Sequence, residues 1–167
     1  MNLKTVLSKL RPGARIPERN PFADDIAVED NVEIVVYGPD GKVKARRTAH
    51  NLLTTVGKEK LAEQLIASPA TEKPKYIGVG TGSTEAKISD TALGTEVKRK
   101  EATTRTASGK VLTMAVVFAA GEATGTLREA GIFAASTVGS MYARLVYAAL
   151  TIEAADSVEI KWTLTYE

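Results

Sequence analysis

Few residues in this chain could do chemistry, and their spacing limits what that chemistry is. Gly78-Val79-Gly80-Thr81-Gly82 has the glycine density of a phosphate-binding loop. Such a loop needs Lys-Ser/Thr after its last glycine and a helix beyond, whereas Ser83-Thr84-Glu85 follows here. A dinucleotide fingerprint needs a third glycine where Ser83 stands. The run reads as a strand ending in a flexible turn. His50 is the only histidine, beside Asn51 at a strand-to-helix junction. No nucleophile-elbow sequence accompanies it, and alone it cannot complete a metal site. It reads as a loop or capping residue, with Asn51 bonding local backbone. Carboxylates pair at Asp24 and Asp25, Glu29 and Asp30, and Glu96 with Glu101. They fall in arm or charged-strand positions that predict solvated faces, not the cleft that glycosidase acids need.

The remaining candidate is Arg128-Glu129, an adjacent cation and anion inside the apolar run 124–133, TGTLREAGIF. Neighbours on a strand face opposite sides. The pair is therefore either an exposed edge device or one inward side chain held by partners, because an inward charge needs them. Arg99, Arg105 or Arg144 could serve Glu129. A structural role is expected of Arg128 and Glu129, with no catalytic residue, cofactor or metal.

The elements that must position these residues are mostly strands. Residues 32–37 and 42–49 form a hairpin about Gly38-Pro39-Asp40-Gly41, whose Asp-Gly suits left-handed geometry. Lys42, Lys44, Arg46 and Arg47 mark its second strand as a face or edge open to water. Thr54-Thr55 offers an N-cap, and residues 57–67 read as a helix with Leu61, Ala62, Leu65 and Ile66 as its apolar stripe. Further strands are read at 76–79, 93–107 (a pair or one bent strand), 111–118, 127–133, 141–150 and 158–166, with a polar loop over 80–90. In the last strand Val158, Ile160, Trp162, Leu164 and Tyr166 alternate with Glu159, Lys161, Thr163 and Thr165. That is a strand with one wet face. Short strands with regular turn signals predict an all-β, mainly antiparallel fold. The expected architecture is a β-sandwich or jelly-roll-like domain over 31–167 with one accessory α-helix.

The 167 residues suffice for one domain with its own core. The chain has no cysteine, which excludes a disulfide framework and thiolate metal sites. No apolar run approaches the ~20 residues of a membrane-spanning helix, so no membrane is expected as a partner. The net charge of +2 is too balanced to predict nucleic-acid binding. It is uneven, however. Lys4, Lys9, Arg11, Arg15 and Arg19 face Glu18 alone, so residues 1–20 carry a net +4 and the remainder −2. Leu3, Val6, Leu7 and Leu10 share a helical face, Pro12-Gly13 ends that segment, and Pro17 and Pro21 keep the following chain extended through Phe22. Residues 1–30 are thus expected to be an extended basic arm. Its candidate partner contacts are Leu3, Leu7, Leu10, Arg11, Arg15, Arg19 and Phe22.

The order of motifs adds a resemblance over about residues 45–166. Asn51-Leu52-Leu53 is followed by Gly57-Lys58 and a helix with Leu61 and Leu65, then by Ile77-Gly78-Val79-Gly80-Thr81-Gly82. Asp90-Thr91-Ala92-Leu93 with Glu96 and Arg99 comes next, then Arg128-Glu129-Ala130-Gly131-Ile132-Phe133, Met141, Ala143-Arg144 and Trp162-Thr163-Leu164. This order resembles the N-terminal domain of tailed-bacteriophage tail-collar and tail-fibre proteins, and related short virion proteins. The resemblance implies a non-enzymatic β domain of a virion, usually a homo-oligomer with three-fold or other symmetry. Its partners would be other phage virion proteins, either the major capsid protein or tail and neck proteins. Because the chain ends at Glu167, directly after the last strand, the expectation is a small accessory: a capsid decoration or cement protein, or a collar, neck or baseplate part. A carbohydrate-binding host-attachment module using the loops at 80–90 and 137–140 is the alternative, as is a tail-fibre anchoring domain.

Overall fold

The chain folds around one buried layer between two antiparallel five-stranded sheets. The computed structural model describes residues 28–64, 66 and 72–166. Among them are strands β1 (Val28–Tyr37), β2 (Val43–Ala49), β3 (Leu52–Leu53), β4 (Tyr76–Gly80), β5 (Glu96–Glu101), β6 (Thr104–Ser108), β7 (Val111–Phe118), β8 (Gly125–Phe133), β9 (Met141–Ile152) and β10 (Ser157–Tyr166). The helix α1 (Thr55–Glu63) lies between β3 and β4. The first sheet runs β2-β1-β10-β7-β6 and the second β3-β9-β8-β4-β5. The fold is all-β and sandwich-like, with a single short helix.

The alternation in β10 sets the first sheet. Val158, Ile160, Trp162 and Leu164 are buried, while Lys161 is exposed. Trp162 pairs with Val32 on one side and Met114 on the other, placing it mid-sheet with Ile34, Val116 and Phe118 in the same core. Each such side chain contributes ~1.5–3 kcal/mol when fully buried. The Trp162 indole N–H donates 2.8 Å to the Asn51 Oδ1, satisfying a polar group that would otherwise be stranded in that core. Asn51 therefore ties the core indole rather than bonding only local backbone as predicted.

Several boundaries differ from expectation; the run read over 93–107 is a pair, β5 and β6, with 93–95 in the loop before it. β1 begins at Val28, so 28–30 belong to the sheet and not to the arm: they pair with residues 164–166 of β10. The sequence Glu29-Asp30-Asn31 looks like an acidic tether, but Glu29 and Asn31 are exposed, and the Asp30 carboxylate accepts the Asn51 backbone N–H. The helix spans Thr55–Glu63 instead of 57–67 and ends on Gln64. Leu61 packs on the core, but Ala62 and Ile66 of the predicted stripe are exposed; Leu65 lies outside the described residues. The pair Leu52–Leu53 forms a strand against Arg144 and Ala143 that is too short for any periodic signal. The contacts predicted for the arm, Leu3, Leu7, Leu10, Arg11, Arg15, Arg19 and Phe22, also lie outside the described residues.

The helix start is fixed to the second sheet. Thr54 is fully buried. Its hydroxyl caps the Gly57 N–H at 3.0 Å and donates to the Met141 carbonyl, and its own N–H donates 3.0 Å to the Tyr142 carbonyl. Gly57 rests on the β9 backbone so closely that a Cβ would lie 2.7 Å from the Tyr142 Cα.

Candidate functional site

Glu129 has no exposed surface, whereas its neighbour Arg128 is exposed. Strand geometry alone does not produce Glu129's position. Leu127 pairs with Leu150, but Glu129 pairs with Val146, so the register breaks at Arg128. An irregularity of this kind re-aims side chains. Leu127, Ala130 and Ile132 all enter the main core, while Glu129 turns to the outer face of the second sheet. There it lies beneath the loop that joins β4 to β5.

The carboxylate is enclosed by donors from that loop. Oε1 accepts the Gly82 N–H at 2.9 Å and the Thr95 N–H at 2.8 Å. Oε2 accepts the Gly94 N–H at 2.9 Å and Arg144 through Nε at 3.1 Å and Nη2 at 2.8 Å. The glycines leave the space the carboxylate fills. A Cβ at Gly80 would sit 2.6 Å from Oε1, and one at Gly82 would overlap it. The glycine run that resembles a phosphate loop does cradle an anion on backbone N–H groups, and that anion is the chain's own Glu129.

Arg144 is the counter-ion and is nearly as buried, at 3% exposure. It uses all five of its donors. Besides the two bonds to Glu129, Nη1 donates to Asp90 Oδ2 at 2.7 Å and the Glu85 carbonyl at 3.4 Å, and Nη2 to the Thr84 carbonyl at 3.0 Å. Asp90 in turn accepts the Lys87 N–H at 2.9 Å, and the Ile88 carbonyl accepts the Thr55 N–H at the helix start at 2.8 Å. The two charges on β8 and β9 thus fix residues 81–95 at both ends and the middle.

The electrostatics agree with this saturation. Burial pushes the Glu129 carboxyl up, but the Thr95 and Gly94 N–H groups, Arg144 and the Gly82 N–H together hold it below the usual carboxylate range. For Asp90 burial again opposes, and the Lys87 N–H and Arg144 prevail, lowering it. Arg144 is raised: burial acts against its charge, and Glu129 and Asp90 outweigh it. A low carboxyl with every lone pair engaged is a poor general base. It is a strong fixed link.

Beside this link the outer face carries a small apolar cluster of Leu93, Phe133 and Met141, with Tyr76 packed against it. The Arg99 guanidinium stacks 3.4 Å from the Phe133 ring centroid. It also grips the β5 carboxylate of Glu96 at 2.6 and 3.0 Å and the carbonyls of Ala135 and Val138 at 3.0 and 2.9 Å. Glu96 and Glu101 are exposed, as predicted, and each also holds a cation: Glu96 bonds Arg99, and Glu101 lies 3.2 Å from Lys75 and 3.5 Å from Arg105. His50 is exposed, with Nδ1 2.8 Å from the Asp30 carbonyl. Asp24 and Asp25 lie outside the described residues.

Sequence reasoning missed two participants. Asp90 ends the polar loop and opens the Asp90-Thr91-Ala92-Leu93 motif, but neither reading makes it a partner of Arg144; the Lys87-to-Asp90 turn spacing is the available signal. No spacing or pattern in the sequence marks Asp156. It is 2% exposed, accepts Lys44 Nζ at 2.8 Å and the Glu153 N–H at 2.9 Å, and closes the β9–β10 turn. Among the described residues no three His, Cys, Asp or Glu side chains converge to hold a metal ion, and no helix is long and apolar enough to cross a membrane. A scan against family models and searches of curated proteins and of solved structures return no match.

Proposed function

We propose that the protein is a non-enzymatic structural component of a tailed-phage virion. In this reading it is a small accessory that assembles through its β domain and grips neighbouring subunits with the residues before β1, as a capsid decoration or as a collar, neck or baseplate part. The observation that carries the proposal is the Glu129–Arg144 link. Five donors converge on one carboxylate and five acceptor contacts surround one guanidinium, all within the chain. Its product is a rigid outer face, which suits a building block. The motif order from Asn51 to Leu164 supplies the phage assignment. In the arm, Leu3, Leu7, Leu10 and Phe22 would supply apolar anchors, with Arg11, Arg15 and Arg19 giving register and steering.

The test is incorporation into particles. A chain lacking residues 1–27 keeps all of β1, and its expected result is loss of incorporation with an unchanged thermal melt. Incorporation equal to the full chain contradicts the gripping role. Quantitative mass spectrometry of purified particles then separates the two locations. Hundreds of copies mean a shell protein, a dozen or fewer mean a tail or collar part, and absence from particles contradicts the virion reading itself.

A further inference from the structure

The two sheets have four edges, and three of them are blunted. β2 carries Lys44, Arg46 and Arg47, β5 reads Glu-Val-Lys-Arg-Lys-Glu, and β3 has two residues. Charge and brevity are the usual devices against edge pairing. β6 differs. It reads Thr-Arg-Thr-Ala-Ser, all five residues are exposed, and β7 is its only strand partner among the described residues. Its one charge, Arg105, lies 3.5 Å from Glu101 of the same chain.

The backbone groups that β6 leaves free follow from its hairpin. Ser108 pairs with Val111 across a two-residue turn in which Gly109 has φ 55°. Such a turn closes on a hydrogen-bonded pair, and bonding alternates along an antiparallel ladder. Ser108, Thr106 and Thr104 therefore bond inward to β7, and Arg105 and Ala107 aim N–H and C=O away from the sheet. The far side of β7 keeps the same phase, since the Tyr166 N–H donates 3.0 Å to the Lys110 carbonyl.

We propose that β6 pairs with β6 of a second copy, antiparallel, about a two-fold axis at Thr106. In this register Arg105 of each copy faces Ala107 of the other, so the outward-aimed residues meet as two hydrogen-bonded pairs. The two Thr106 side chains meet at the axis as a close pair, a favourable cross-strand match. A register centred on Arg105 sets like charges opposite each other. One centred on Ala107 places Arg105 against the Gly109 turn and loses a bonded pair. Charge thus disfavours the Arg105-centred register and backbone bonding the Ala107-centred one, which leaves the register centred on Thr106, with the two Arg105 side chains as diagonal rather than direct neighbours; the occupant is the same strand. The contact does not depend on the virion reading, and its test uses the purified 167-residue chain.

The chain has no cysteine, so single cysteines report the register without background. Under mild oxidation Thr106→Cys is expected to form a covalent dimer. Thr104→Cys alone is not, because residue 104 faces residue 108 of the second copy, yet Thr104→Cys mixed with Ser108→Cys is. Adding Ala107→Pro removes an outward N–H without touching the β6–β7 ladder, a place where edge strands tolerate proline. It is expected to slow Thr106→Cys cross-linking about tenfold with an unchanged circular-dichroism spectrum. Cross-linking of Thr104→Cys alone as fast as Thr106→Cys, or a rate untouched by Ala107→Pro, overturns the proposal.

Discussion

Two buried carboxylates sit at opposite ends of the same design scale. Glu129 and Asp156 are both almost inaccessible, at 0% and 2% exposure, and each meets a cation, but Glu129 gathers three backbone N–H groups and Asp156 one. Asp156 accepts the N–H of Glu153, three residues away, and a lysine whose side chain is 40% exposed. Glu129 accepts N–H groups 34 to 47 residues away and an arginine whose side chain is 4% exposed. The first latches a turn. The second joins two strands to a loop that would otherwise have no ladder to hold it. What separates them is the number of donors each gathers, the chain length each closes and the water each partner retains.

The largest expected effect therefore belongs to Glu129→Gln. Either orientation of the amide sets its NH₂ against backbone donors, and Arg144 loses its main counter-charge. Breaking such a pair costs about 3–5 kcal/mol, read as a lowered midpoint in denaturant unfolding. Asp156→Asn should cost clearly less, since Lys44 can turn to Glu153 at 2.9 Å or to water. Equal losses at the two positions would break the comparison. Next comes Gly57→Ala, whose methyl would press on the Tyr142 backbone; overpacking of this kind costs about 1–3 kcal/mol. It should loosen the helix start, seen as faster amide exchange in 55–60.

The pH response sharpens the same contrast. Glu129, Asp90 and Asp156 all have folded carboxyl values below their ordinary ones. Their stabilisation is therefore complete above the unfolded values, about 4, and lost as pH falls through the lowered folded values. Thermal melts should fall below about pH 4, and Glu129→Gln should flatten that fall more than Asp156→Asn does. The smallest effect is expected of Arg128→Ala. This side chain is exposed beside the most buried carboxylate, and its removal should stay within about 0.5 kcal/mol.

That adjacent residues differ so much explains what the sequence could and could not reveal. The alternation from Val158 to Tyr166 predicted β10, the continuous apolar run matched β7 at Val111–Phe118, and Asp40-Gly41 marked the first hairpin. An inward member of Arg128-Glu129 was readable as a question of strand parity. Which residue it was, and which face it reached, was not, because the register break between Leu127 and Glu129 depends on how β9 meets β8. The glycine run was visible too, but not its occupant, since Gly82, Gly94 and Thr95 come together only once β4 and β5 flank the same loop. β3 is not legible because two residues have no period, and the start of β1 is hidden because Glu29, Asp30 and Asn31 put polar side chains on both faces after Val28.

The most direct measurement is amide hydrogen exchange at neutral pH on the parent and on Glu129→Gln. If the carboxylate holds the loop, the N–H groups of Gly82, Gly94 and Thr95 exchange slowly in the parent and at least about tenfold faster in the variant. The N–H of Ile160 in the first sheet should keep the greater share of its protection. Fast exchange of the three amides in the parent, or equal protection in both proteins, would contradict the account.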